Sequence, residues 1–233
     1  YVHYDVLVIG GGLSGIISAK IAAKSNLKTL LVDDKKTLGG STIFQNNDSF
    51  KIDDQHSSKW LEKEINEISE IENLTVKTRT SIAAYHGYNY LLARENLTDH
   101  LSIKDKKDKI RQRLWKIRAK KVIVATGAIE RPLVFNNNDR PGILLSNSIN
   151  KYLDYYGVAC GKNIILFTNN DSAYETAISL HKKGIKNLIV DLRKNSQSEI
   201  AKQAQNLGIK IYFNHVVTNL SLIHISEPTR RIW

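Results

Sequence analysis

Four short stretches of the chain are apolar at every position: Val6-Leu7-Val8-Ile9, Leu30-Leu31-Val32, Val122-Ile123-Val124-Ala125 and Ile164-Ile165-Leu166-Phe167. Unbroken apolar runs of this length predict parallel strands buried on both faces, because a strand with one solvated face alternates instead. Between the first two runs, Gly12, Gly15, Ile16, Ala19, Ala22 and Ala23 recur at helical spacing. They form a face small enough to lie close against a sheet, with Lys20 and Lys24 directed to solvent. Ser25-Asn26 closes this helix, and Thr29–Asp33 is the returning strand of a strand-helix-strand unit of about 30 residues.

From Ser58 onward Leu61, Ile65 and Ile68 fall at helical spacing among Glu and Lys, which predicts an amphipathic surface helix ending by Asn73. Residues 74 to 119 read as a three-stranded meander of Leu74–Thr80, Tyr85–Leu92 and Arg113–Ala119, with a charged loop at Lys104–Lys109. Val122–Ala125 is then a separate, central parallel strand running into Thr126-Gly127. Asp139-Arg140-Pro141-Gly142 is a turn-rich connector, and Ile149, Tyr152, Leu153 and Tyr156 mark a helix stopped by Gly157. A second unit follows, with a strand at Ile164–Phe167, a helix over Ser172–Lys183, a strand over Asn187–Leu192, a helix near Glu199–Leu207 and a strand at Ile209–Phe213. Ser172 and Glu175 have the spacing of a capping box. The expected fold is therefore α/β: a Rossmann-like FAD/NAD-binding domain with a β-meander insertion over residues 1–145, and a partial second dinucleotide-type βαβ domain over 146–220.

Chemistry enters at the first strand-to-helix turn. Gly10-Gly11-Gly12-Leu13-Ser14-Gly15 fits G-x-G-x-x-G, in which Gly10 makes the tight turn, Gly12 lets backbone approach a pyrophosphate and Gly15 lets the helix pack on the sheet. With Leu13 and Ser14 in the first helical turn, unpaired N–H groups and the helix dipole favour an anion there. The pattern alone is weak, but here it follows a buried strand and precedes an acidic strand end. Asp33 can accept both ribose hydroxyls and would repel a 2′-phosphate, so NAD or FAD is expected rather than NADP. Asp34, one step further on, points to the opposite face and is the lesser candidate. Leu38-Gly39-Gly40 and Ala125-Thr126-Gly127 are further places where glycine lets the chain pass close to a cofactor, although a plain turn explains either by itself.

The second unit holds Thr168, Asn170 and Ala173 where the first has its glycines, and Asp171 adds a negative charge that opposes a pyrophosphate. It is expected to keep the fold without its own nucleotide. His86, His100, His181 and the single Cys160 show no spacing that pairs a nucleophile with a base, so no catalytic residue is assigned, and no Cys/His pattern calls for a metal.

Composition changes this picture little. The net charge of +11 lies mostly in one stretch, Lys104–Lys121, with ten Lys/Arg against two Asp. There Trp115, Ile117 and Ala119 alternate with Lys116, Arg118 and Lys120, the pattern of a half-buried strand with a solvated basic face. A docking surface for an acidic partner is the other reading. Nucleic acid is not expected, since no recognition motif accompanies the charge. No apolar run approaches the roughly 18 to 20 residues of a membrane span, and no signal peptide precedes Val6, so a cytoplasmic protein is expected. The chain starts at Tyr1 and contains no Met. It reads as an internal piece of a longer protein.

Arg111–Ala119, the run from Ala125-Thr126-Gly127-Ala128-Ile129-Glu130-Arg131-Pro132 to Asn138-Asp139-Arg140-Pro141-Gly142, and above all Phe167-Thr168-Asn169-Asn170-Asp171-Ser172-Ala173-Tyr174 resemble the alpha subunits of heterotetrameric sarcosine oxidases. The resemblance covers about residues 3 to 220. It implies a complex with beta, gamma and delta subunits that oxidises sarcosine to glycine, passes the one-carbon unit to tetrahydrofolate or releases formaldehyde, and reduces oxygen to hydrogen peroxide. It also implies NAD at Gly10, Gly12, Gly15 and Asp33, with FAD and FMN on the beta subunit or its interface. Opine oxidase, hydrogen cyanide synthase and dye-linked proline dehydrogenase subunits look similar around Gly127–Gly142. They usually keep glycines in the second phosphate loop, which Thr168–Asp171 lacks. A subunit that holds nucleotide without turning it over is the non-enzymatic alternative. The likeness stops near Leu220, and residues 221–233 are expected not to belong to the native protein.

Overall fold

The computed structural model describes residues 1–44 and 51–220. The expectation for residues 221–233 lies outside them. The chain divides into two compact units, Tyr1–Ala128 and Ile129–Trp233.

In the first unit, β1 (Val2–Ile9), α1 (Leu13–Lys24) and β2 (Thr29–Val32) form the expected crossover, with β1 and β2 parallel and Val6 opposite Thr29. A short turn at Gly40–Ile43 and a two-residue hairpin, β3 (Lys51–Ile52) and β4 (Gln55–His56), lead to α2 (Ser57–Ser69). Then come β5 (Leu74–Lys77), β6 (Thr80–His86), β7 (Tyr90–Asn96), the single turn α3 (Ile103–Lys106) and β8 (Gln112–Val124). The sheet order is β5-β2-β1-β8-β7-β6.

Three features of this region differ from the pattern reading. Leu74–Lys77 is a parallel edge strand on β2, with Thr29 opposite Leu74, and it is separated from β6 by Arg79 at a φ of 51°. The Tyr-rich stretch expected as a strand is the hairpin turn itself: Tyr88 and Asn89 take φ values of 57° and 51°. Two successive left-handed residues match the natural twist of a hairpin, and apolar tyrosines on both sides hide that turn in the sequence. The expected strands Arg113–Ala119 and Val122–Ala125 are also one: β8 runs 13 residues without a break, antiparallel to β7 and parallel to β1. Its alternation is real, since Ile117 and Ala119 are buried while Lys116 and Lys120 are exposed.

Side chains of β1 divide between the two faces. Val6 and Val8 pack with Ile16, Ala19, Ala23, Trp60, Leu61 and Ile68 of α1 and α2. Leu7 packs with Leu30, Leu91, Ala93 and Ile117 on the other face. Lys20 does not point to solvent as expected. Its ammonium lies 2.7 Å from Glu64 and 2.6 Å from Glu67, so it ties α1 to α2.

The second unit has α4 (Ser146–Asn150), continued by one wide turn at Lys151–Tyr155, then β9 (Asn163–Thr168), α5 (Ser172–Lys182), β10 (Lys186–Asp191), α6 (Glu199–Asn206) and β11 (Lys210–Phe213). Its sheet is parallel, in order β11-β10-β9. Gly157, at a φ of 66°, stops the first helix as expected. The capping box is not formed: Asn170 Oδ1 accepts from both the N–H and the hydroxyl of Ser172, at 3.0 and 2.7 Å. A side chain one turn residue earlier had the shorter reach to that amide. The fully buried Tyr174 donates its hydroxyl to Asp191 Oδ2 at 2.7 Å. Burial works to raise the Asp191 pKa, but bonds from Arg193 and Tyr174 outweigh it and hold the carboxyl below its ordinary value.

Two outcomes follow from this packing. Ile117→Ala should cost the first unit about 2–5 kcal/mol in urea unfolding followed by tryptophan fluorescence, while Lys116→Ala stays within about 0.5 kcal/mol. The Asp191 carboxylate is favoured in the folded state, so its contribution is complete above the ordinary carboxylate pKa and fades as pH falls through the lower folded value. Tyr174→Phe should therefore lower the second unit's stability by about 1–3 kcal/mol at neutral pH. The gap to the unsubstituted chain should narrow in acid, read by circular dichroism melting from pH 7 down to pH 2.

Candidate functional site

The C-terminal ends of β1, β2 and β8 meet at one edge of the first sheet, the place where parallel α/β sheets bind ligands. The glycine loop occupies it. A Cβ on Gly15 would land on the carbonyl oxygen of Gly10, and one on Gly10, whose φ is 105°, would strike the carbonyl of Ala125. Ala125 N–H in turn donates to Ile9 O at 2.8 Å. Glycine at these two positions is thus required by the protein's own packing.

Gly12 is different. Its φ of −77° and ψ of −173° suit any residue, and a Cβ there would meet nothing nearer than Gly40 Cα at 4.0 Å. Neither conformation nor packing within the chain asks for glycine. Gly12 flanks the first turn of α1, which has no side-chain cap and no acidic residue in its first turn. Leu13 and the exposed Ser14 open that turn, whose first N–H groups have no partner within the helix and no side-chain cap.

Asp33 follows β2 and is buried. Its Oδ2 accepts the Gly11 N–H at 2.5 Å and its Oδ1 accepts the Lys35 N–H at 2.7 Å. The carboxylate therefore holds the glycine loop as well as standing beside it. Asp34 is exposed and paired with Lys35 Nζ at 2.7 Å. Gly39 donates its N–H to Gly11 O at 2.7 Å, and a Cβ on Gly40 would come within 3.0 Å of Gly12 Cα. Leu38-Gly39-Gly40 and Ala125-Thr126 thus flank the glycine loop, and Gly127 follows at a φ of 70°. Sequence reasoning missed the part of Gly11, whose N–H is the partner of Asp33. The run of three glycines was the available signal.

The corresponding edge of the second unit is built otherwise. Asp191 ends β10, and its Oδ1 accepts the Arg193 N–H at 2.9 Å, the same two-residue bond that Asp33 makes to Lys35. The Arg193 guanidinium lies 2.7 Å from Asp191 Oδ2 and 2.7 Å from Asp171 Oδ1, and Ser196 donates to the same Asp171 oxygen at 3.2 Å. The Arg193 bond holds the Asp171 carboxyl below its ordinary pKa despite some burial.

His86, His100, His181 and Cys160 are exposed, and no group of His, Cys, Asp or Glu among the described residues could hold a metal. No helix among the described residues is long and apolar enough to cross a membrane.

Residues 4–222 match the pyridine nucleotide-disulphide oxidoreductase family. The sarcosine oxidase subunit alpha of Corynebacterium sp. (strain P-1) is 36% identical over 219 residues, which are 94% of this chain and 22% of that protein. That of Rhizobium meliloti (strain 1021) is 35% identical over 185 residues, 79% of this chain and 18% of its own length. This chain therefore spans about a fifth of the length of these relatives. The structure of L-proline dehydrogenase from P. horikoshii is similar with a TM-score of 0.62 at 26% identity, covering 85% of this chain and 37% of that one. With its glycine loop and Asp33 at one edge of a parallel sheet and a family match running through both units, the chain belongs to the pyridine nucleotide-disulphide oxidoreductase family.

Proposed function

We propose that the first unit holds the adenine half of a dinucleotide, NAD in preference to FAD. In this reading the chain is the nucleotide-binding part of a sarcosine oxidase alpha-type subunit. The observation that carries the first part is Gly12: its glycine is unexplained by the chain itself and is explained by a pyrophosphate resting where a Cβ would project. The first-turn amides of α1 bind that pyrophosphate, and the helix dipole adds to the attraction. Asp33 presents its carboxylate to the ribose hydroxyls while its bond to Gly11 N–H keeps the loop in register. A carboxylate there disfavours a 2′-phosphate, hence NAD over NADP. When bound, the nucleotide supplies a hydride-accepting or hydride-donating ring, and the chain's part is to orient it and shield it from side reactions.

The names of the relatives, subunits alpha of sarcosine oxidases, support the wider reading of one subunit in a sarcosine-oxidising complex; in that reading beta, gamma and delta subunits complete the hetero-oligomer, with sarcosine and tetrahydrofolate bound elsewhere in the assembly. FAD and FMN belong on the partner subunit or its interface, since amine oxidation needs a flavin against the substrate carbon.

Three outcomes test this. Gly12→Ala should leave the melting temperature of the nucleotide-free chain unchanged and reduce bound nucleotide, identified by mass after mild denaturation, by at least about tenfold; undiminished nucleotide would remove the pyrophosphate from this loop. Gly15→Ala should instead destabilise the fold, because its Cβ meets the Gly10 carbonyl. The chain alone should not reduce an electron-acceptor dye with sarcosine and FAD, whereas the complete complex should. Dye reduction by the chain alone, above a Gly12→Ala control, would contradict the assignment of amine oxidation to the partner.

A further inference from the structure

The two units repeat one plan, so the differences between their ligand edges can be read position by position. Strand registers match: in β1 and β2, Ile9 lies opposite Val32, and in β9 and β10, Phe167 lies opposite Val190, so the next residues, Gly10 and Asp33, correspond to Thr168 and Asp191. Asp33 and Asp191 each close a two-residue bond to a following backbone N–H. Counting back from these strands, Thr168, Asn170 and Ala173 take the places of Gly10, Gly12 and Gly15.

At each of those places the second unit fills what the first leaves open. Where Gly12 has no side chain, Asn170 turns its Oδ1 onto the Ser172 N–H, so an amide that could meet a phosphate is already bonded. The next residue, Asp171, sets a carboxylate beside the first turn of α5. Arg193 fixes that carboxylate in place, reaching from Asp191 to Asp171 with 2.7 Å contacts at both ends. Ser196 adds a third contact to Asp171. The strand-end carboxylate is occupied as well: Asp191 Oδ2 takes the Tyr174 hydroxyl and the guanidinium, and Asp191 is fully buried. Asp191 thus takes a guanidinium and a phenol hydroxyl, whereas Asp33 accepts the backbone N–H groups of Gly11 and Lys35.

We infer that the second unit is closed to dinucleotides by its own side chains: Asp171, pinned by Arg193, takes the place of the pyrophosphate, and Asn170 and Tyr174 take up the amide and the strand-end carboxylate. The chain then carries one dinucleotide, in the first unit, and the Asp171–Arg193 pair is the determinant that keeps the second unit empty. The stoichiometry rests on the first-unit reading above; the closure of the second unit does not.

The experiment uses the full chain and two probes. With NADH, followed by its fluorescence and by calorimetry, the unsubstituted chain should bind one equivalent and Gly12→Ala none. One equivalent retained in Gly12→Ala but lost in Arg193→Ala would place the nucleotide in the second unit and overturn the inference. With inorganic pyrophosphate, Asn170→Gly combined with Asp171→Asn in the Gly12→Ala background should bind at least about tenfold more tightly than Gly12→Ala alone, because a repelling charge is removed and an amide is freed. Circular dichroism would verify that the triple variant is folded. No gain in pyrophosphate affinity in that folded variant overturns the inference. If the unsubstituted chain binds no NADH at all, the first-unit reading fails, and the pyrophosphate comparison still decides the closure of the second unit.

Discussion

The structure of the first unit depends on three backbone segments approaching more closely than any side chain would permit. The turn after β1 touches the carbonyl of Ala125 at Gly10, and α1 comes down onto the Gly10 carbonyl at Gly15. With those contacts made, α1 lies flat on the sheet through Ile16, Ala19 and Ala23, and its first turn is aimed over the strand ends. The Asp33 carboxylate then fixes the loop by accepting the Gly11 N–H. Close packing and the ligand edge are consequences of the same few atoms, so a methyl group at Gly15 disturbs both, while one at Gly12 disturbs only the second.

The second unit shows that the fold does not by itself confer the site. Its parallel sheet, crossover helix and acidic strand end repeat those of the first unit. Yet the charges converge inward there, with Arg193 between two carboxylates and a buried tyrosine completing the set. A buried carboxylate is costly unless its lone pairs are satisfied; Asp191 is satisfied by Arg193 and the Tyr174 hydroxyl, Asp33 by the backbone N–H groups of Gly11 and Lys35.

The basic stretch is a case where chemistry had to be read with its strand. Lys116 and Lys120 sit on the solvated side of β8, and the aromatic Trp115 on the other side lies under Lys77 and against Glu95. Half of the ten basic residues of this stretch lie before β8, and Lys116, Arg118 and Lys120 form the polar face of that central strand. Lys20, by contrast, looked like surface charge and is a bolt between two helices, because Glu64 and Glu67 of α2 come within reach of it.

Local chemistry alone determined the crossover of β1, α1 and β2, the parallel strands, the helix ends at Gly157 and near Ser25, and the glycine turn from Gly10 to Gly15. Unbroken apolar runs, small residues at helical spacing and glycine's access to positive φ need no distant partner to be read. Tertiary structure decided the rest. The merging of two apparent strands into β8, and the placement of Leu74–Lys77 at the parallel edge, depend on which neighbour pairs with which backbone, and hydrophobic period carries no such information. The bond from Gly11 to Asp33 spans 22 residues and the one from Asp171 to Arg193 also spans 22. Groups that far apart in sequence meet only when two strand ends are brought side by side: the sequence already set Asn170 and Asp171 apart from Gly12, and the fold adds that Arg193 joins Asp171 to Asp191.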